Sequence, residues 1–211
     1  MKDKPEFQSR VSRWAVIFIG AAVFIGAAFY FDPAVRNSIS QHQEPVLRSV
    51  MERVSRYGDW PEHVALGVIL IAVAWSRGSK KWMRIFAAMI VACALAGVSA
   101  RVVKIAAGRA RPNVQTETRW KGPQFSERYH AFPSGHTAAS TAFFATLVLA
   151  GWRIGAGLLI IPMLIAFSRM YVAAHYLSDV VAAAVIGLAC AYVVVSWRPL
   201  QIEDRKSKIE N

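Results

Sequence analysis

The stretch SRMYVAAHYLSDVVAAAVIGLACAYVVVSW, residues 168–197, decides the fold. From Leu177 to Trp197 it carries a single charge, Asp179, over a length able to cross about 30 Å of hydrocarbon as a helix. Ahead of that run stand Ser168, Arg169 and His175, so ionisable groups crowd the edge of an apolar segment, where they are expensive to hold and therefore point to function. Moving outward, five further apolar runs appear: Trp14 to Phe31, Trp60 to Ser76, Trp82 to Gly108, His136 to Trp152 and Ile154 to Val172. The expected architecture is all-α, a polytopic membrane protein with a six-helix transmembrane bundle in residues 1–200 and a polar cytoplasmic tail in 201–211.

The second run is the weakest, because its uninterrupted apolar core spans only Val64 to Trp75 and suits a re-entrant or buried segment as well. Six of the seven Trp residues fall at run ends, which favours interfacial anchoring over simple core packing. The first run follows Lys4, Arg10 and Arg13 like a signal peptide but lacks a small-x-small cleavage site before Asp32, so it is expected to be retained. Between the first two runs, Val46, Leu47, Val50, Met51 and Val54 repeat at helical spacing opposite Arg48, Glu52, Arg53 and Arg56. That amphipathic helix can lie on the headgroups or pack on the bundle ends.

Hydrophobic residues make up 55% of the 211, too many for an ordinary soluble domain of this size. The net charge of +12 does not imply a nucleic-acid partner, since the basic residues sit between apolar runs rather than along one stripe. Basic residues at the N-terminus, in the connection holding Arg77, Lys80, Lys81 and Arg84, and in the tail place both termini in the cytoplasm by the positive-inside bias. Cys93 and Cys190 lie inside apolar runs without neighbouring ligands and read as small buried residues.

Three elements carry chemistry. Lys104 and Arg111 are seven apart at the end of the third run and would share a face if the helix continued to Pro112. Pro133, Ser134, Gly135 and His136 precede the fourth run, where a helix N-terminus offers free N–H groups to an anion, or where Ser134 simply caps the helix. His175 and Asp179 are four apart, a spacing at which the carboxylate can accept from one ring nitrogen and leave the other as a nucleophile. Because successive runs reverse direction, all three elements meet at one membrane surface. Two imidazoles, a carboxylate, three cations and a helix N-terminus then surround one volume, as a transferring phosphoryl group requires.

Lys104 to Pro112 (KIAAGRARP), Pro133 to His136 (PSGH) and Ser168 to Asp179 (SRMYVAAHYLSD) resemble, in order and spacing, the three signature motifs of the type-2 phosphatidic acid phosphatase and vanadium haloperoxidase superfamily. The resemblance implies a six-span lipid phosphatase in which His175 attacks phosphorus to form a phosphohistidine. It further implies that Asp179 orients His175 and that His136 protonates the departing alkoxide. Lys104, Arg111, Arg169, Ser134 and the Gly135 backbone would then hold the phosphate oxygens. No metal or other cofactor is expected, the fixed cations doing the charge neutralisation. The expected partners are a phosphorylated membrane lipid and the bilayer: phosphatidic acid, phosphatidylglycerol phosphate, an isoprenoid pyrophosphate and lipid A all fit. A bacterial plasma membrane, with the site on the periplasmic or extracellular face, is the expected location.

A phosphotransferase would use the same residues with another hydroxyl in place of water. A haloperoxidase would share them but is a soluble class, and a non-catalytic lipid-phosphate binder or transporter would not need both imidazoles and the carboxylate. The loop from Asn113 to Phe132 is expected to tune substrate choice. Arg101 and Arg109 suit either an extension of the phosphate or headgroup site or snorkelling to the interface, His130 reads as a solvated loop residue rather than a headgroup contact, and Glu62 and His63 carry no assigned role.

Overall fold

The computed structural model describes residues 4–197, and the tail expected at 201–211 lies outside the described residues. Among the described residues, seven α-helices follow one another: α1 (Lys4–Gln41), α2 (Pro45–Tyr57), α3 (Trp60–Ser76), α4 (Lys80–Ala107), α5 (Gly135–Leu149), α6 (Ile160–Tyr171) and α7 (Leu177–Trp197). Trp14–Gln41 of α1, α4 and α7 are long and apolar enough to cross a membrane; α3, α5 and Gly155–Tyr171 are apolar but shorter.

Helix α5 is the hub. Its residues from Thr137 to Leu147 are all buried, between α4 on one side and α7 on the other. Small side chains allow this closeness: Ala92, Ala96 and Ala100 of α4 meet Ala138 and Ala142 of α5 and Ala183 of α7. At Gly187 the approach is tightest, since a Cβ there would stand 2.6 Å from the Ala138 carbonyl oxygen. The buried hydroxyls of Ser140 and Thr146 donate to carbonyls one turn back, at 2.8 Å each, so neither is stranded by the packing. The other half of the core is built from large residues, among them Ile85, Met89, Phe143, Phe144 and Leu147. The small-residue half lies under the α4 C-terminus and the N-termini of α5 and α7, which is where the motif residues gather.

Two expectations about helix ends need correction. The first apolar run does not stop at Phe31: α1 continues to Gln41, because Asp32 is buried and paired rather than facing solvent. Lys104 and Arg111 do not share a face of one helix either. Helix α4 ends at Ala107, and Gly108, not Pro112, stops it by adopting φ 56° and donating its N–H to the Lys104 carbonyl at 3.1 Å. The loop returning over this end passes so close that a Cβ at 108 would lie 1.8 Å from the Gly122 carbonyl oxygen.

Helix α2 packs on α6 with Met51 and Ser55 buried, while Val46, Leu47 and Val50 remain exposed. Cys93 and Cys190 are buried and unpaired, as read from the sequence.

Candidate active site

The end of α4, the loop after it, the start of α5 and the turn between α6 and α7 converge on one region. Lys104 occupies the last turn of α4, and a Cβ placed on Gly135 would stand 3.6 Å from its ammonium, so this cation sits directly at the α5 N-terminus. His136 lies within electrostatic reach of Lys104, Arg111, Arg169 and His175. All eight motif residues singled out in the sequence therefore belong to one neighbourhood.

Ser134 caps α5: its Oγ accepts the Thr137 N–H at 3.5 Å and the Thr137 hydroxyl at 3.0 Å, which leaves its own proton available. The N–H groups of Gly135 and His136 have no carbonyl within their own helix, and they stand at the helix end that Lys104 approaches. Arg111 Nε and Arg169 Nε are buried without a hydrogen-bond partner among the described residues, an arrangement that an anion's oxygens would satisfy. Arg109 Nε shares that status, although its guanidinium is enclosed by the rings of Tyr176, Trp120 and Phe29 at 4.1, 5.0 and 5.2 Å.

His175 is buried in the turn before α7. Its Nδ1 lies 2.6 Å from the Ala131 carbonyl oxygen. A carbonyl can only accept, so Nδ1 carries the proton and the neutral ring presents an unprotonated Nε2. Burial pushes its pKa down to about 4, opposed by Asp179 and reinforced by Lys104 and Arg169. At neutral pH the ring is uncharged and its Nε2 lone pair is free to attack.

The expected hydrogen bond between His175 and Asp179 is corrected by this geometry. The two are 3.6 Å apart, and the Asp179 oxygens are engaged elsewhere: Oδ2 accepts the Tyr176 N–H at 2.7 Å and Oδ1 accepts from Arg109 at 2.5 Å. Asp179 still supplies negative charge beside the ring, but the atom that orients the imidazole is a backbone carbonyl.

Five residues not assigned to the site from the sequence complete the arrangement. Arg109 does not snorkel: it is 2% exposed and bridges Asp179 to Asp32 of α1, the latter at 2.7 Å, with Ser178 Oγ a third partner at 2.7 Å. Asp32 in turn accepts from the Ser178 N–H at 2.8 Å, so α1, the loop and the α7 N-terminus are locked together. His130 is likewise buried, not solvated, with its Nε2 2.9 Å from the Gln124 carbonyl oxygen, inside the loop that supplies Ala131. Asp59, the N-cap of α3, places Oδ1 3.3 Å from His136 Nδ1, and Ser55 of α2 accepts from Arg169 Nη1. Short apolar α3 thus delivers a carboxylate to the site. His63, assigned no role, is buried against Phe143 and Phe144 and serves packing.

The profile of the PAP2 superfamily matches residues 85–203, more than half of the chain, and includes all three motifs. The chain belongs to the PAP2 superfamily. Two curated relatives, both named lipid A 1-phosphatase, are similar to it. The protein of Rhizobium etli is 26% identical over 83% of this chain and 81% of its own length. That of Rhizobium johnstonii is 34% identical over 43% of this chain and 38% of its own. Among solved structures, the transmembrane PAP2-type phosphatidylglycerolphosphate phosphatase of Bacillus subtilis superposes with a TM-score of 0.65 at 20% identity, covering 87% of this chain and 94% of that one. Aquifex aeolicus LpxE superposes with a TM-score of 0.60 at 22% identity, covering 79% and 95%. With this PAP2 fold and three apolar helices of spanning length, the chain is an integral membrane protein.

Asp59→Asn tests the unanticipated carboxylate of this PAP2 site. Asparagine caps a helix as well as aspartate, so the unfolding temperature should not change. Losing the charge beside His136 should lower kcat about a hundredfold, at the low end of what positioned acid–base catalysis contributes. Wild-type kcat in the variant would leave Asp59 as a cap alone.

Proposed function

We propose that the chain removes a phosphate from a membrane lipid, acting on a phosphomonoester or pyrophosphate without a metal and through a phosphohistidine. The observation that carries this reading is His175: a buried neutral imidazole whose Nδ1–H is held by the Ala131 carbonyl, with Nε2 unpartnered among the described residues and cations close by. The names of the curated relatives support a lipid phosphatase.

In the first step the Nε2 lone pair attacks phosphorus and the bond to the lipid oxygen breaks, His136 giving that oxygen a proton. Lys104, Arg111 and Arg169, with Ser134 and the first N–H groups of α5, neutralise the equatorial oxygens as charge builds. Asp179 offsets the positive charge that the phosphorylated ring acquires. Water then attacks the phosphohistidine, His136 takes its proton, the P–N bond breaks and inorganic phosphate leaves. The test is a panel of lipid phosphates presented to purified protein in detergent with chelator. Inorganic phosphate should appear; phosphate recovered on another lipid, or activity abolished by chelation, would overturn hydrolysis or metal independence respectively.

The pH dependence has a definite sign. Protonation removes the nucleophile, and with a pKa of about 4 most of His175 remains neutral at pH 5, where an ordinary histidine would be mostly charged. Single-turnover phosphoenzyme formation should therefore persist from pH 7 to pH 5. A tenfold loss by pH 5 would contradict the assignment.

The bundle makes six crossings in this proposal, by α1, α3, α4, α5, α6 together with the 3-10 helix Arg153–Leu159 ahead of it, and α7. Helix α2 lies on the membrane surface through its exposed Val46, Leu47 and Val50. Residues 1–200 form the catalytic domain, both termini are cytoplasmic and the site faces the periplasm or exterior of a bacterial cell. A cysteine replacing exposed Glu117, in the loop over the site, should react with an impermeant maleimide on intact spheroplasts; labelling only after lysis would invert the topology. The native Cys93 and Cys190 are buried and keep the background low.

A further inference from the structure

Next to His175 in the chain, the ring of Tyr176 has two guanidinium groups near it besides that of Arg109, with Arg36 of α1 at 5.9 Å and Arg119 of the loop at 6.0 Å. Neither has a carboxylate partner among the described residues. Arg36 donates to the Pro112 carbonyl oxygen at 2.7 Å, which fixes its position and leaves its other donors free. Both arginines line two cavities, of about 350 and 360 Å³, each the size of a small-ligand site. The first also presents the side chains of Asn113, Gln115 and Thr116, which suit a hydroxyl-bearing group rather than an acyl chain. A third cavity, of about 140 Å³, is lined by Arg36 and also by His175, so the cationic space adjoins the nucleophile. Asp32 is the one carboxylate among the residues lining the three, and Arg109 and Ser178 already engage it.

An uncompensated pair of guanidinium forks over a polar cavity is built for a phosphate. We infer that Arg36 and Arg119 form a second anion subsite that takes a phosphate elsewhere on the lipid headgroup, so that the preferred substrate class is a doubly phosphorylated, hydroxyl-rich lipid. This rests on the lipid-phosphatase reading for its catalytic consequence, though not for the binding itself.

The test compares a synthetic glycolipid bearing two phosphates with its counterpart bearing only the scissile one. Wild type should favour the first, and Arg36→Gln/Arg119→Gln should lower the ratio of the two kcat/KM values about tenfold, the size expected for a lost charge-assisted contact. Arg119→Lys with Arg36 intact should retain part of the preference, since charge survives without the fork. Binding of both lipids to His175→Ala protein, with and without the double substitution, separates the two readings. If wild type turns over neither lipid yet the double substitution selectively weakens binding of the doubly phosphorylated one, hydrolysis fails and the subsite stands. Equal losses for both lipids, no loss for either, or no preference in wild type would overturn the subsite.

Discussion

His175→Ala should lower kcat by about four orders of magnitude or more, the scale seen when a nucleophile acting with its partners as a unit is removed. The expectation is large because nothing else can take over. The remaining imidazole, His136, has its Nδ1 directed at Asp59 and is needed to protonate the leaving group. The alanine variant also loses the contact to the Ala131 carbonyl, a neutral hydrogen bond whose net contribution is about 1 kcal/mol, so it should still fold. His175→Asn is the useful companion, because its amide can still donate to that carbonyl while offering no nucleophile. Both variants should fail to accumulate the acid-labile phosphoenzyme that wild type forms from labelled lipid. Retention of more than a hundredth of wild-type activity by both would remove His175 from the first step.

Arg109→Met should be the most damaging substitution for the fold. It would strand Asp32 and Asp179, both nearly without exposure, as two buried carboxylates that have lost their shared counter-ion. Breaking a buried pair in this way costs about 3–5 kcal/mol, which for a chain of this size lowers the unfolding temperature by on the order of 10 °C. Activity should fall as well, since Ser178 and Asp179 anchor the turn that carries His175. Arg109→Lys should recover only a fraction, for a compact ammonium cannot donate to both carboxylates and Ser178 as the planar fork does. A variant that melts with wild type would show the network to be dispensable.

The contrast between these two residues indicates what the sequence made legible. His175 stands in a spaced pattern beside an apolar run, and such patterns survive translation into a string of letters. Arg109 stands in the same string, yet its meaning depends on Asp32, which is 77 positions away on a helix whose continuation past Phe31 was not foreseen. Ser55 and Asp59 were invisible for a similar reason: they join the site only because α2 and α3 dock beside α5 and α6. The holder of the nucleophile was harder still to read. It is the carbonyl of Ala131, and a carbonyl belongs to every residue, so no side-chain code announces it. The apolar runs are legible, with α3 and α7 ending where their runs end, because hydrophobic length is local information. The end of α4 is ambiguous in the sequence because two stop signals, Gly108 and Pro112, compete there. Only the loop crossing over the helix end explains why the glycine acts first.

That crossing loop is fastened at both ends. The Ala131 N–H donates to the Arg109 carbonyl at 2.9 Å, the Arg111 N–H to Arg128 at 3.0 Å and the Lys121 N–H to Gly108 at 3.1 Å. The clasp isolates what lies between from what lies beyond. Insertions or exchanges around Asn113 to Thr118 can remodel the headgroup cavity while Arg109, Arg111 and the Ala131 carbonyl stay in place. In this chain the clasp lets the loop's surface change without disturbing the groups around His175. It also defines the unit for loop grafting: a donor segment must run from Gly108 to Ala131, clasp included, because a shorter transplant would import a new specificity onto a nucleophile no longer held.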